Sequence, residues 1–331
     1  MSSRGSATAS DVPAIPVLAG PTASGKSAAA LRLALAVGEA SAGAGPTARH
    51  APDTCLSVEI VSADAMQVYR GMDLGTAKPS REERAAVPHH LLDVVDPSEP
   101  FSVAQYVHLA EAAIGAILAR GAVPLVTGGT GFYLRALREG LPTVPPADLA
   151  AQAPMWEAVA GGRLRELEAE LREAAPQDAV RAAGNPRRIV RSLEVLRSTG
   201  KPPSAFPRRP PQYAYSTAQL LPAMAELRPR IAARTAAMFE RGLVAEVAEL
   251  LRAYPEQPTA LQAIGYKEVT AHLRGEASEE EARRAVELAT VQYAKRQSTW
   301  FRSSAEAPAL RIAATGEASH RELAAWFSEL V

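Results

Sequence analysis

The chain has 331 residues, enough for one large or two modest domains, and 47% of them are hydrophobic, enough for a full core. Lys and Arg (36) balance Asp and Glu (36), so any nucleic-acid binding must come from local basic patches rather than from net charge. The single cysteine, Cys55, excludes disulfide frameworks and cysteine-based zinc fingers and suits a reducing, cytoplasmic setting.

Residues 1–14 form a small, polar segment without an apolar h-region; a disordered tail rather than a signal peptide is expected. Ile15–Ala19 is a short apolar run that reads as a buried strand. It leads into Gly20-Pro21-Thr22-Ala23-Ser24-Gly25-Lys26-Ser27, the phosphate-cradling pattern G-x-x-x-x-G-K-[ST]. A helical run from Ser27 to Ala36 follows, so strand, loop and helix stand in the order the motif requires. Loop amides and the helix N-terminus make a positive concavity. Lys26 adds a full charge, and the Ser27 hydroxyl can hold a phosphate-bound Mg²⁺. A di- or triphosphate ligand is implied.

Residues 38–54, rich in Ala, Gly, Ser and Pro, read as a surface loop. Leu56–Val61 reads as a second strand ending at Asp64, and Leu91–Val95 as a third. Val103–Arg120 has helical apolar spacing and closes at Gly121. Val123–Thr127 is another strand, leading to Gly128-Gly129-Thr130-Gly131 and a helix from Phe132 to Arg138. Alternating strands and helices predict an α/β core with a parallel sheet of the phosphate-loop NTPase kind. Ligands of such sheets sit beyond the carboxyl ends of the strands, where the phosphate loop, Asp64 and the Gly128–Gly131 turn converge.

After Pro142 the pattern changes. Residues 145–206 read as a small all-helical insertion, with helices at Arg163–Ala174 and Pro186–Ser198 and a proline-rich, basic linker at Lys201–Pro211. The core is expected at 15–144 and 207–331. Tyr213–Leu221 returns as a strand, followed by helices at Leu227–Arg241, Val244–Ala253, Ala260–Arg274 and Glu279–Arg302.

The phosphate loop alone leaves kinase, nucleotidase and transferase open. Asp93 and Asp96 are the available Walker-B-like carboxylates. Asp64 suits a metal ligand, a general base or simply a loop-capping carboxylate. Adjacent His89 and His90 lack spaced partners and read as structural. Two stretches suit RNA. Arg187, Arg188 and Arg191 lie close on one helix, and Lys295 and Arg296 are interleaved with Tyr293, Trp300 and Phe301. Taken by themselves, a solvated basic face and an aromatic core anchor are the favoured accounts of these stretches.

On these stretches the sequence resembles the bacterial tRNA dimethylallyltransferases (tRNA isopentenyltransferases). The matching blocks are Gly20–Ser27, Ser62–Pro79 (SADAMQVYRGMDLGTAKP), Pro88–Asp93, Phe101–Val103, Gly128–Thr130, Asn185–Val195, Gln262–Glu268 and Lys295–Arg302, in family order. The resemblance implies a phosphate-loop core with a helical insertion. It implies dimethylallyl diphosphate as donor with Mg²⁺. The implied acceptor is N6 of the adenosine 3′ to the anticodon in tRNAs reading codons that begin with U. Asp64 matches the general base, and Gly20, Thr22, Ala23, Ser24, Gly25, Lys26 and Ser27 match the diphosphate loop. Asp64, Ala65, Met66, Gln67, Thr130, Arg187, Arg188 and Arg191 match tRNA-contacting positions, and a monomer without membrane contact is expected. Two departures stand out. Met224 occupies the place, seven residues before Ile231, where the family carries a phosphate-reaching Arg, with Arg228 or Arg230 the available substitutes. Gln152 stands where an Arg contacts tRNA. A relative acting on free adenine nucleotides and a small-molecule kinase are the competing readings.

Overall fold

The computed structural model describes residues 14–43, 56–257, 259–303, 308–313 and 316–331. Residues 1–13 of the expected tail and 44–54 of the expected loop lie outside the described residues. The core is laid down as β1 (Ile15–Ala19), α1 (Lys26–Gly43), β2 (Val58–Ala63), α2 (Arg81–Ala86), β3 (His89–His90), α3 (Val103–Ala119), β4 (Val123–Gly128) and α4 (Gly131–Glu139). Four helices follow: α5 (Leu149–Ala160), α6 (Leu164–Ala174), α7 (Pro176–Ala182) and α8 (Pro186–Thr199). The chain then returns through β5 (Tyr215–Leu220), α9 (Met224–Glu240), α10 (Leu243–Ala253), α11 (Tyr266–Leu273), α12 (Glu279–Arg302), β6 (Leu310–Ile312) and α13 (Glu317–Ser328).

The six strands form one parallel sheet in the order β3-β2-β4-β1-β5-β6. Every residue of β1 and β2 is buried, as expected for parallel strands covered on both faces. Leu18, Leu33, Ile60, Leu125, Leu220 and Phe327 share the principal core. Register fixes the site: Ala19 lies beside Gly128, and Gly128 beside Ala63, so three strand ends finish level. Gly128 is required there, since a Cβ would fall 2.2 Å from the Ala63 carbonyl oxygen.

Contacts divide the chain into two compact units, 1–138 with 212–331, and 139–211. The second begins before residue 145 and ends after 206 because its two ends are zipped together. Arg209 donates to the Leu141 carbonyl and Thr143 to the Pro207 carbonyl, both at 2.9 Å. Its core is Met155, Leu171, Ile189, Val190 and Leu193. Helices α5 and α7 add to the two expected from periodicity.

Three local expectations change. Leu91–Val95 is not a strand: Leu91 and Asp93 have φ of 63° and 55°, and the pairing residues are His89 and His90. Helix α1 runs through Gly38 to Gly43, so the loop starts later than its composition suggests. The helix expected at 260–274 breaks, because Gly265 adopts φ 98° before α11 begins. No described helix is long and apolar enough to cross a membrane.

Candidate active site

The phosphate loop is a strained turn held from outside. Ala23 and Gly25 sit at φ 62° and 86°, and the Ser24 amide donates to the Pro21 carbonyl at 3.2 Å. Helix α1 starts at Lys26, so its first amides lack intrahelical acceptors. From α12, buried Gln297 clamps the loop. Its Oε1 accepts from the Thr22 amide and its Nε2 donates to the Gly129 carbonyl, both at 2.8 Å. The basic, aromatic stretch thus contributes a buried amide that neither charge nor aromaticity announces. Its Lys295 and Arg296 are exposed, with Arg296 5.8 Å above the Tyr293 ring.

Two cations meet at this loop without an ion-pair partner among the described residues. Burial pushes the Lys26 ammonium down to about 8, against the pull of Asp64 and with repulsion from Arg234. Arg234, from α9, donates Nη2 to Thr22 Oγ1 at 2.7 Å, while its buried Nε has no partner. Burial lowers its pKa too, opposed by Asp64. Such a pair is electrostatically incomplete without an anion. Lys78 shows the contrast: equally buried, it is fully answered by Asp73 and Asp93 at 2.7 Å and the Tyr69 carbonyl at 2.8 Å.

Arg234 was not among the residues the sequence singled out. The signal was present, since Leu227, Ile231, Thr235 and Met238 form the buried stripe of α9 and Arg234 falls beside it, one turn after Ile231. Met224 packs against the apolar cluster of Leu227, Ile231 and Val291. Arg228 is exposed, and Arg230 lies 3.6 Å from Glu226.

Asp64 closes the turn after β2: Oδ1 accepts from the Met66 amide at 2.8 Å and the Gln67 amide at 3.3 Å. It caps the loop and also lines a cavity of about 70 Å³ with Thr22, Lys26, Ser27, Gln67 and Arg234. Gln67 is fixed by Ser62 Oγ at 3.0 Å and by the Thr76 and Ala77 carbonyls at 3.3 Å. Thr130 Oγ1 accepts from the Ala65 amide at 3.0 Å. Met66 packs on the apolar cluster around Tyr69. Burial and the Asp64 charge push the Tyr293 phenol up to about 12.

Asp93 pairs with Lys78 and Arg84 at 2.7 Å, and Asp96 with Arg70 at 3.0 Å; neither lines the cavity, which removes both as Walker-B-like groups. His90 Nε2 meets Glu59 at 2.6 Å, and His89 Nδ1 donates to the Val87 carbonyl at 2.7 Å. No group of His, Cys, Asp and Glu among the described residues is arranged to hold a metal by itself. Ser27, exposed in the cavity, fits the other arrangement, in which a magnesium ion is held by one hydroxyl and the phosphates of a ligand.

In the helical unit, Arg187 and Arg188 are exposed, and Arg188 donates to the Arg181 carbonyl at 3.0 Å. Arg191 is tied to Glu194 at 2.7 Å and to the Pro145 carbonyl. Gln152 is buried and donates to Glu194 at 2.6 Å.

The family profile described as IPP transferase matches residues 67–304. A tRNA dimethylallyltransferase of Thermus thermophilus is 53% identical over 289 residues, covering 87% of this chain and 89% of its own length. One from Deinococcus radiodurans is 48% identical over 294 residues, covering 88% and 90%. The crystal structure of the full-length tRNA isopentenylpyrophosphate transferase from Bacillus halodurans superposes with a TM-score of 0.66 at 32% identity, covering 96% of each chain.

Proposed function

This chain belongs to the IPP transferase family, and from that premise we propose that its cavity moves a dimethylallyl group from dimethylallyl diphosphate onto a tRNA adenosine. The enzyme is a tRNA dimethylallyltransferase by its relatives. The donor, the N6 acceptor next to the anticodon, the cytoplasmic setting, the monomeric state and the residue roles are our reading. One observation carries it: Lys26 and Arg234, without a carboxylate partner among the described residues, share a cavity with Asp64.

The donor diphosphate lies against the loop amides, with Lys26 and Arg234 answering its charge. As the allylic carbon–oxygen bond breaks, negative charge grows on the leaving diphosphate, and fixed cations in a desolvated site stabilise that change. The adenosine nitrogen attacks the allylic carbon, the new carbon–nitrogen bond forms, and the N6 proton passes to the Asp64 carboxylate. Asp64 is pre-aimed because two backbone amides hold Oδ1, which leaves Oδ2 for the substrate. A magnesium ion held by Ser27 and the donor phosphates would supply further neutralisation of the leaving group. A stacked base does not expose its exocyclic amine, so the adenosine must be extruded to react. Exposed Arg187, Arg188, Lys295 and Arg296 are the candidate RNA phosphate contacts.

The test is transfer from radiolabelled dimethylallyl diphosphate, run in parallel on tRNA, AMP and ATP. Label is expected in tRNA alone. Label in AMP or ATP at a comparable rate would replace the RNA acceptor with a free nucleotide.

A further inference from the structure

A second cavity, of about 360 Å³, adjoins the phosphate loop and shares no lining residue with the first. The loop supplies the consecutive residues Ala23, Ser24 and Gly25 to it, flanked by Thr22 on one side and by Lys26 and Ser27 on the other, which line the first cavity. Its remaining wall comes from α1, the end of β5, α9 and α13.

Three features give it chemical character. First, Arg32 of α1, Arg230 of α9 and His320 of α13 converge on it from separate elements, and no acidic side chain lines it. Arg32 donates to His320 Nε2, and Arg230 lies 3.6 Å from Glu226. Second, Ala29, Leu220 and Leu323, all buried, give it an apolar floor. Third, Ser24 is 1% exposed and its hydroxyl has no hydrogen-bond partner. A buried hydroxyl left unanswered is costly, and an anion oxygen would satisfy it. The volume suits a small organic molecule.

We propose that this cavity is a ligand site for a small phosphomonoester with a flat, apolar body, and that its occupancy alters the affinity of the neighbouring loop for diphosphate. The phosphate meets Arg32, Arg230, His320 and Ser24, and the body covers Leu220 and Leu323. Coupling follows because adjoining residues of one strained loop wall both cavities: 23–25 face the second, and Thr22, Lys26 and Ser27 on either side face the first. By linkage, each ligand changes the other's affinity by the same factor.

Phenyl phosphate is the probe, titrated calorimetrically into wild type with the first cavity filled by excess inorganic pyrophosphate, and into Lys26→Ala without it. Saturable binding is expected in both. Arg32→Gln should weaken it about tenfold or more, the loss of one charge-assisted contact, and Arg32→Lys should retain most of it. His320→Gln gives a second, independent loss. Pyrophosphate affinity of wild type should shift by about fivefold or more when phenyl phosphate is present. The site is refuted if no saturable heat appears, or if binding vanishes in Lys26→Ala and ignores Arg32→Gln. An unchanged pyrophosphate affinity refutes the coupling. None of these readouts depends on prenyl transfer, so they stand or fall apart from the proposed function.

Discussion

Around the phosphate loop, Lys26 and Arg234 have no carboxylate within ion-pair distance among the described residues. In the helical unit, Arg172, Arg191 and Arg197 each hold one at 2.7 Å. Both regions are rich in arginine or lysine, yet the charge does different work. In the helical unit it is spent on the fold: Glu194, 3% exposed, is anchored by Arg191, Gln152 and the Asp148 amide. Burial raises the Glu194 carboxyl and these partners bring it below its ordinary value. At the loop Lys26 and Arg234 are desolvated with no carboxylate partner among the described residues, an arrangement that costs the free protein stability and that, on the proposed function, an anion completes. What separates a structural basic residue from a functional one is its partner, not its type.

The sharpest test of that contrast is Asp64→Ala. Removing the proposed proton acceptor should slow single-turnover prenyl transfer by on the order of 10²–10⁴, with tRNA retention on filters largely intact. A rate near wild type would leave Asp64 with only its loop-capping role.

Next comes Lys26→Met, expected to cut kcat/KM for the donor by about 10²–10³ while raising Tm by about 2–4 °C, because an uncompensated buried charge is gone. Folded Lys26 titrates near 8 against 10.5 for the free side chain, so the unfolded chain binds more protons between those values. Wild-type stability should therefore rise from pH 8 to 10.5 relative to Lys26→Met. Over the same range donor kcat/KM should fall as Lys26 loses its charge, and Lys26→Arg should abolish that limb. A Tm that drops in Lys26→Met would mean the loop cation is as structural as those of the helical unit.

In the helical unit, Arg191→Ala should cost about 1–3 kcal/mol in urea unfolding, since it removes one anchor of a buried carboxylate. The folded Glu194 carboxyl sits below its ordinary 4.5, so its contribution is present above that pH and lost as pH falls through the folded value. In Arg191→Ala this acid loss should shrink. The smallest effect is expected for exposed Arg187→Ala, which should leave unfolding unchanged and lower the salt dependence of tRNA binding by about one unit of log–log slope. An unchanged slope would make Arg187 a solvated residue only.

Lys78 and Asp93 show where sequence reading goes astray. Asp93 lies within the apolar run Leu91–Val95 and so reads as part of a strand; the chain there is instead bent at positive φ and its carboxylate neutralises Lys78 and Arg84. Nothing local distinguishes such a carboxylate from one aimed at a ligand. Gln297 was hidden for the same reason, lying among residues whose charge and aromaticity drew attention to the surface.

The sequence by itself determined the parts whose geometry is local. Gly20–Ser27 announces its turn and the helix start that follows; the short apolar runs at Ile15–Ala19 and Val123–Thr127 read as buried strands; Ser62–Pro79 carries the family resemblance in one unbroken stretch. Tertiary structure alone decided which distant side chains complete the site. Arg234 reaches Thr22 across 212 positions and Gln297 across 275. Those contacts depend on the register of β1, β2 and β4 and on the packing of α9 and α12, and long-range packing leaves no periodicity or spacing in the residues it brings together.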